Sequence, residues 1–182
     1  MLRIFVFFVV SLVLGAMSWR SFEEPGSHGF FRFFAFEALL VLLLINLSHW
    51  FEDPLSWYQI ISWVFLCISI YLAITGIALL HIKGGSQPRP GIRSNFVFEN
   101  TARLVTEGTY GYIRHPMYSS LLFLGWGTFF KSPSWFGVII ALVASGLLFL
   151  TAKVEEEENI MTFGPAYEKY MTTTKMLVPF IF

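Results

Sequence analysis

Long apolar stretches joined by short polar connectors restrict this chain more than any other feature. They run over residues 2–17, 30–50, 55–82, 117–130 and 135–152. A helix rising about 1.5 Å per residue needs about 20 apolar residues to cross about 30 Å of hydrocarbon, and the second and third runs reach that length. Lipid offers no partner to a backbone N–H or C=O, so such runs satisfy their own hydrogen bonds by becoming helices. Charged residues make up only 13% of the chain and the mean hydropathy is +0.64, which is too apolar for an ordinary soluble domain. The expected architecture is all-α: an integral membrane protein with about five transmembrane helices, a long cytoplasmic loop and a C-terminal amphipathic helix. Residues 1–182 form a single membrane domain, with three N-terminal helices in 1–82 and the loop, a helical hairpin and the tail in 83–182.

Several function classes drop out early. Formal charge sums to zero and no basic cluster exists, so the chain lacks the electrostatic footprint of a nucleic-acid binder. Cys67 is the single cysteine. It admits no internal disulfide, and its place inside an apolar run reads as packing. His28, His49, His81 and His115 never fall at the i, i+4 spacing of a helical metal pair, so no metal site is expected.

The first run is flanked by Trp19 and Arg20 and is expected to stay as a helix rather than leave as a signal peptide. Glu37, inside the second run, is expected to pair with Arg32 or with another helix, because an ionisable group in a span is costly without a partner. Gly137, Ala141 and Ser145 recur every four residues in the fifth run, a spacing that lets helices approach closely. The turn Lys131-Ser132-Pro133-Ser134 folds runs four and five into a hairpin, which returns Tyr118 and Glu155 to one membrane face. Alternating the connectors across five helices places Arg20, Arg32, Lys83, Arg89, Arg93, Arg103, Arg114, Lys153, Lys169 and Lys175 on one side, and Arg3 and Lys131 on the other. Basic residues favour the cytoplasmic side, so the connector at 83–113 and the C-terminal tail are expected there.

Polar chemistry concentrates in two places. The first is the segment 103–118, RLVTEGTYGYIRHPMY, at the end of a connector made irregular by Gly84, Gly85, Pro88, Pro90 and Gly91. Gly108 allows a tight turn before Tyr110, and Pro116 has its fixed φ at a helix start, where a missing N–H costs nothing. A helix N-terminus suits an anionic ligand group, and Arg114 stands beside it. The second is the run Glu155–Glu158 just beyond the fifth apolar stretch, followed by an amphipathic stripe of Phe163, Tyr167 and Tyr170 that suits an interfacial helix or a lid. At about 100° per residue four consecutive carboxylates cannot share a direction, so one or two are expected to turn inward.

The sequence GTYGYIRHPMY, the EE pair, FGPAYEKY and the closing LVP, in this order and spacing, resemble the integral-membrane methyltransferases related to isoprenylcysteine carboxyl methyltransferase. The resemblance covers Arg103 to Pro179. It implies a cytoplasm-facing site for S-adenosylmethionine and a lipophilic acceptor that enters from the bilayer lipids. Carried over residue by residue, cofactor contacts fall on Ala102, Arg103, Leu104, Val105, Tyr110, His115, Pro116, Met117, Tyr118 and Glu155. Glu155 and Glu156 are the candidate catalytic carboxylates for an acceptor that has to lose a proton. Thr151 stands where the isoprenylcysteine enzymes carry an arginine that meets the acceptor carboxylate. The acceptor therefore stays open between an isoprenylcysteine-like carboxylate, a phospholipid amine and a small thiol. Membrane sterol and steroid reductases, which use NADPH, look similar in this region and form the enzymatic alternative. A scaffold or transport protein is the non-enzymatic one. Gly125-Trp126-Gly127 lies inside an apolar run rather than after a strand, which excludes a Rossmann-type methyltransferase.

Overall fold

The computed structural model describes residues 1–85 and 101–179. These described residues include seven α-helices: α1 Leu2–Met17, α2 Trp19–Phe22, α3 His28–Asn46, α4 Trp57–Leu79, α5 Pro116–Phe129, α6 Trp135–Phe163 and α7 Pro165–Thr173. Among the described residues there is no strand, and a single parallel bridge joins Ile113 to Lys175. Three stretches among the described residues are long and apolar enough to cross a membrane: His28–His49, Trp57–Gly84 and Trp135–Phe163. Helices α1 and α5, of 16 and 14 residues, are about 24 and 21 Å long at about 1.5 Å per residue. Pro88, Arg89, Pro90, Gly91 and Arg93 of the sequence reading lie outside the described residues.

The helices are built inside out relative to a soluble bundle. The buried stripe of α4 is Gln59, Ser62, Leu66, Ser69, Leu72 and Gly76, whereas Ile60, Val64, Ile70, Ile74 and Ile77 face outward. In α6 the small residues Gly137, Ala141 and Ala144 are buried, and Phe136, Ile139, Leu142 and Val143 are exposed. Lipid removes the drive to hide large apolar side chains, so the interior goes to small residues that allow close backbones and to polar groups that pair across helices. Ser62 donates to the Gly127 carbonyl at 2.6 Å, which joins α4 to α5. Trp126 Nε1 donates to Ser145 Oγ at 3.2 Å, which joins α5 to α6. Cys67 departs from the packing expectation: it is exposed, on the outward face of α4.

Helix α3 packs along α6 and α4 along α5, with the α5–α6 hairpin between them. Ser134 caps α6 by accepting from the Gly137 N–H at 3.0 Å. At the far side of the hairpin Lys131 is 1% exposed. Its Nζ lies 3.2 Å from the Trp63 ring centroid and donates to Gln59 Oε1 at 3.0 Å, so this lysine fastens the turn instead of reaching the interface. Glu37 pairs with another helix, accepting from Ser11 of α1 at 2.6 Å.

One boundary differs in a way that matters for function. Helix α6 does not stop near Ala152 but runs 29 residues to Phe163. Glutamate favours helices, and nothing breaks the pattern until Gly164, the C-cap at φ +58°, and Pro165, which disfavours helical backbone at the residue before it. The acidic run is therefore the last turns of a rigid helix.

Candidate functional site

Two backbone devices bring the distant segments together. After α4 the chain tightens through a wide turn at Leu80–Gly84, and the N–H groups of Ala102 and Arg103 both reach the Gly84 carbonyl at 2.9 Å. A Cβ on Gly84 would sit 2.6 Å from Thr101 Cγ2, so only glycine permits this approach. At the other end, the tail runs alongside the RHP segment. The Arg114 and His115 N–H groups bond to the Lys175 and Met176 carbonyls at 2.8 and 3.1 Å, and Ser119 Oγ donates to the Leu177 carbonyl at 2.6 Å. Gly108 turns the chain between them at φ +61° against Leu79.

His115 holds the N-cap position of α5, but its side chain makes no cap hydrogen bond. The ring instead stacks on Tyr118 at 5.5 Å between centroids and 19° between planes. It is 5% exposed. Its Nδ1 lies 3.8 Å from Glu155 Oε2 and its Nε2 3.7 Å from Glu156 Oε1, and Nε2 has no hydrogen-bond partner. The Tyr118 hydroxyl donates to Glu155 Oε2. Residues 115 and 118 thus meet the acidic run in one cavity.

The acidic residues separate into distinct roles by direction. Glu155 lines the cavity with Asn159 and Phe163, one face of α6 at four-residue spacing. Glu156 turns away and is 4% exposed at its side chain, accepting from Arg114 Nε at 2.6 Å. Arg114 Nη1 also donates to the carbonyls of Met171, at 3.2 Å, and Thr174. The guanidinium, 9% exposed, is therefore a buried strap between α5, α6 and the end of α7 rather than an anchor to lipid headgroups. Glu157 is exposed, and Glu158 pairs with His28.

Of the residues singled out from the sequence, Leu104, Val105, Tyr110, His115, Met117, Tyr118 and Glu155 line this cavity. Ala102 and Arg103 are exposed beside it. Pro116 is buried, with its ring close to Gly76 of α4. Leu80, Thr101 and Asn159 also line it and had no sequence signal of their own. Phe163, Tyr167 and Tyr170 close it from the α7 side, with Tyr170 donating to the Tyr110 carbonyl at 2.5 Å. Burial raises the phenol pKa of both Tyr167 and Tyr170 above the ordinary value, and at Tyr167 the charges of Glu155 and Glu156 push the same way.

The lining is chemically divided. One end offers a carboxylate and a buried imidazole nitrogen without a partner, which match an ammonium, a hydroxyl or a carboxylate. The remainder offers aromatic faces and aliphatic side chains, which match a planar base or a cation. A family model described as phospholipid methyltransferase matches residues 57–166, from the start of α4 to the start of α7. No curated protein and no solved structure matches the chain.

Proposed function

Because the chain belongs to the phospholipid methyltransferase family, within the isoprenylcysteine carboxyl methyltransferase-like superfamily of membrane methyltransferases, we propose that it methylates the headgroup amine of a phospholipid, with S-adenosylmethionine as donor. The single observation that carries this reading is the cavity in which His115, Tyr118 and Glu155 converge under an aromatic roof. Its residues fit the donor. Glu155 and the His115 ring, whose Nδ1 lies 3.8 Å from Glu155 Oε2, suit the amino-acid and ribose groups, and Leu104, Val105 and Tyr110 suit the adenine. When bound, the donor supplies a methyl group made electrophilic by its sulfonium.

The chain's own work is proton handling and positioning. A phospholipid ammonium has no lone pair to offer, so its proton passes to a carboxylate, and Glu155 is the one that faces the cavity. Tyr118, bonded to Glu155, fixes the direction of that carboxylate. Phe163, Tyr167 and Tyr170 keep water out, which strengthens each polar contact inside. Glu156 is a poor base, since Arg114 already holds it.

Thr151 favours an amine over a carboxylate acceptor. It is 0% exposed and donates to the Leu147 carbonyl at 2.7 Å, so no cation stands there to receive a carboxylate. A groove of about 740 Å³ beside the cavity suits the acyl chains. Its walls include Leu72, Leu79, Ile82, Tyr112 and Ile113, and Thr109, which also lines it, keeps a buried hydroxyl without a hydrogen-bond partner. The strip 108–114 and the end of α4 line both spaces, with Leu80, Tyr110 and Arg114 at the cavity and Leu79, Thr109 and Ile113 at the groove.

The test uses purified protein in lipid nanodiscs with methyl-labelled S-adenosylmethionine. Label is expected on the nitrogen of an aminophospholipid, stable to mild base. Base-labile label on a prenylated cysteine carboxylate would overturn the amine. Tight binding of reduced nicotinamide with none of S-adenosylhomocysteine would revive the reductase alternative, which the family match does not support.

A further inference from the structure

Helix α3 lies outside the stretch that matches the family, yet its first turn reaches the acidic run. His28 is the first residue of α3 and is 0% exposed. Its Nδ1 stands 2.6 Å from Glu158 Oε2. With Arg32, Ala35, Leu39, Leu42 and Asn46 it forms the buried stripe of α3, repeating at four and three residues as a helix face does, and α3 packs against α6. Taking a histidine fully out of water costs desolvation, which the close carboxylate offsets.

The direction of each carboxylate around α6 shows what geometry is held. At about 100° per residue, taking Glu155 as zero, Asn159 and Phe163 stand at about 40° and 80°, and these three line the cavity. Glu156 stands at about 100° and Glu158 at about −60°, so they flank the cavity face on either side. Arg114 holds the first flank at 2.6 Å and His28 the second at 2.6 Å. Glu157, at about 200°, faces away and is exposed.

We infer that His28 is a positioning residue for this site: with Arg114 opposite, it clamps the rotation of α6 about its axis and so aims Glu155 and Asn159 into the cavity. Around Glu155 the buried side chains of α6 are small or polar, Thr151, Ala152, Glu156 and Asn159, so little apolar packing stops this end of the helix from turning. Two close polar pairs on opposite flanks, Arg114 with Glu156 and His28 with Glu158, supply the stop. Helix α3 thereby becomes part of the active-site scaffold without touching a ligand.

The test reads rotation directly and does not depend on what the cavity binds. In full-length Cys67→Ser protein, single cysteines at 157 and 159 are alkylated in detergent. Position 157 is expected to react quickly and buried position 159 slowly. In His28→Phe, which keeps the ring volume and removes the donor, the ratio of the two rates is expected to fall at least fivefold. His28→Asn, which places an N–H near the Nδ1 position, is expected to restore it. In parallel, the affinity for S-adenosylhomocysteine is expected to fall at least tenfold in His28→Phe and to recover in His28→Asn. An unchanged labelling ratio in His28→Phe overturns the inference, and so does an equal loss in both variants, which marks general loosening. This second readout rests on the methyltransferase reading. If the parent protein binds no S-adenosylhomocysteine while the labelling contrast still collapses, the clamp stands and that reading falls. Should His28→Phe not fold, Glu158→Ala against Glu158→Gln carries the same comparison from the other partner.

Discussion

Arg114 offers the sharpest quantitative test of how the site is held. Its Nε meets Glu156 at 2.6 Å, with side-chain exposures of 9% and 4%, and its Nη1 reaches two carbonyls at the end of α7. Arg114→Ala leaves Glu156 buried with only the His115 ring nearby, at 3.7 Å, and truncating one side of a buried pair costs about 3–5 kcal/mol. Two carbonyls lose a charged donor as well, each worth about 1.5–3 kcal/mol at most. Water entering the gap offsets part of this, so a loss of about 4–6 kcal/mol is expected. At about 2–4 °C per kcal/mol for a chain of this size, Tm in detergent falls by about 8–24 °C. Glu156→Leu alone strands the guanidinium but leaves its carbonyl contacts, so a smaller drop is expected. The double variant Arg114→Ala with Glu156→Leu removes both charges, so neither partner is left buried and unpaired. It is expected to be more stable than Arg114→Ala, with a coupling of at least about 2 kcal/mol in the cycle. Differential scanning fluorimetry on the four proteins decides the matter. Single variants within about 1 kcal/mol of the parent, or a double variant that is simply additive, would refute the strap.

Three further outcomes follow from particular atoms. Gly108→Ala places a Cβ 2.8 Å from Leu79 at φ +61°, so stability is expected to fall by about 1–3 kcal/mol, measured by thermal unfolding, and S-adenosylhomocysteine binding to weaken with it. Burial raises the folded pKa values of Tyr167 and Tyr170 above the usual phenol value of about 10. The fold therefore keeps protons that the unfolded chain gives up, and stability is present in full below pH 10 and lost above it by up to about 1.4 kcal/mol per pH unit per tyrosine; Tyr167→Phe with Tyr170→Phe should flatten that alkaline slope in pH-jump unfolding. Ala78→Trp fills the groove from α4 and is expected to raise KM for the phospholipid at least fivefold with no change in Kd for S-adenosylhomocysteine, whereas an equal KM would remove the groove from the acceptor path.

The apolar runs were legible because the bilayer sets one demanding length, and 2–17 and α1 coincide to the residue. Where α6 ends was not. Charge looked like the end of a span, but a helix ends where its backbone is broken, and Lys153 to Glu158 contain no breaker. That misplacement hid Asn159 and detached Phe163 from Glu155, although the spacing 155, 159, 163 is an ordinary helical face once the helix is continued. His115, Tyr118 and Glu155 were readable because each sits in a motif whose order survives in the sequence. His28 carried no such mark: it is a lone histidine after a cap, and its partner lies in another helix more than a hundred residues away.

The same asymmetry explains which faces could be read. In water, apolar periodicity points inward and names the core. In this chain Ile60, Val64 and Ile74 point outward, while Gln59, Ser62 and Ser69 point inward, so hydrophobicity says that α4 is a helix and is nearly silent on how it is turned. Orientation comes from the sparse polar groups, because each is costly in lipid without a partner. Gln59 is fixed by Lys131, Ser62 by Gly127, Glu37 by Ser11, Glu156 by Arg114 and Glu158 by His28. Each of these pairs joins two different segments, so the polar minority fixes how the apolar majority is assembled. At the candidate site several of these pairs meet, Glu156 with Arg114 and Glu158 with His28.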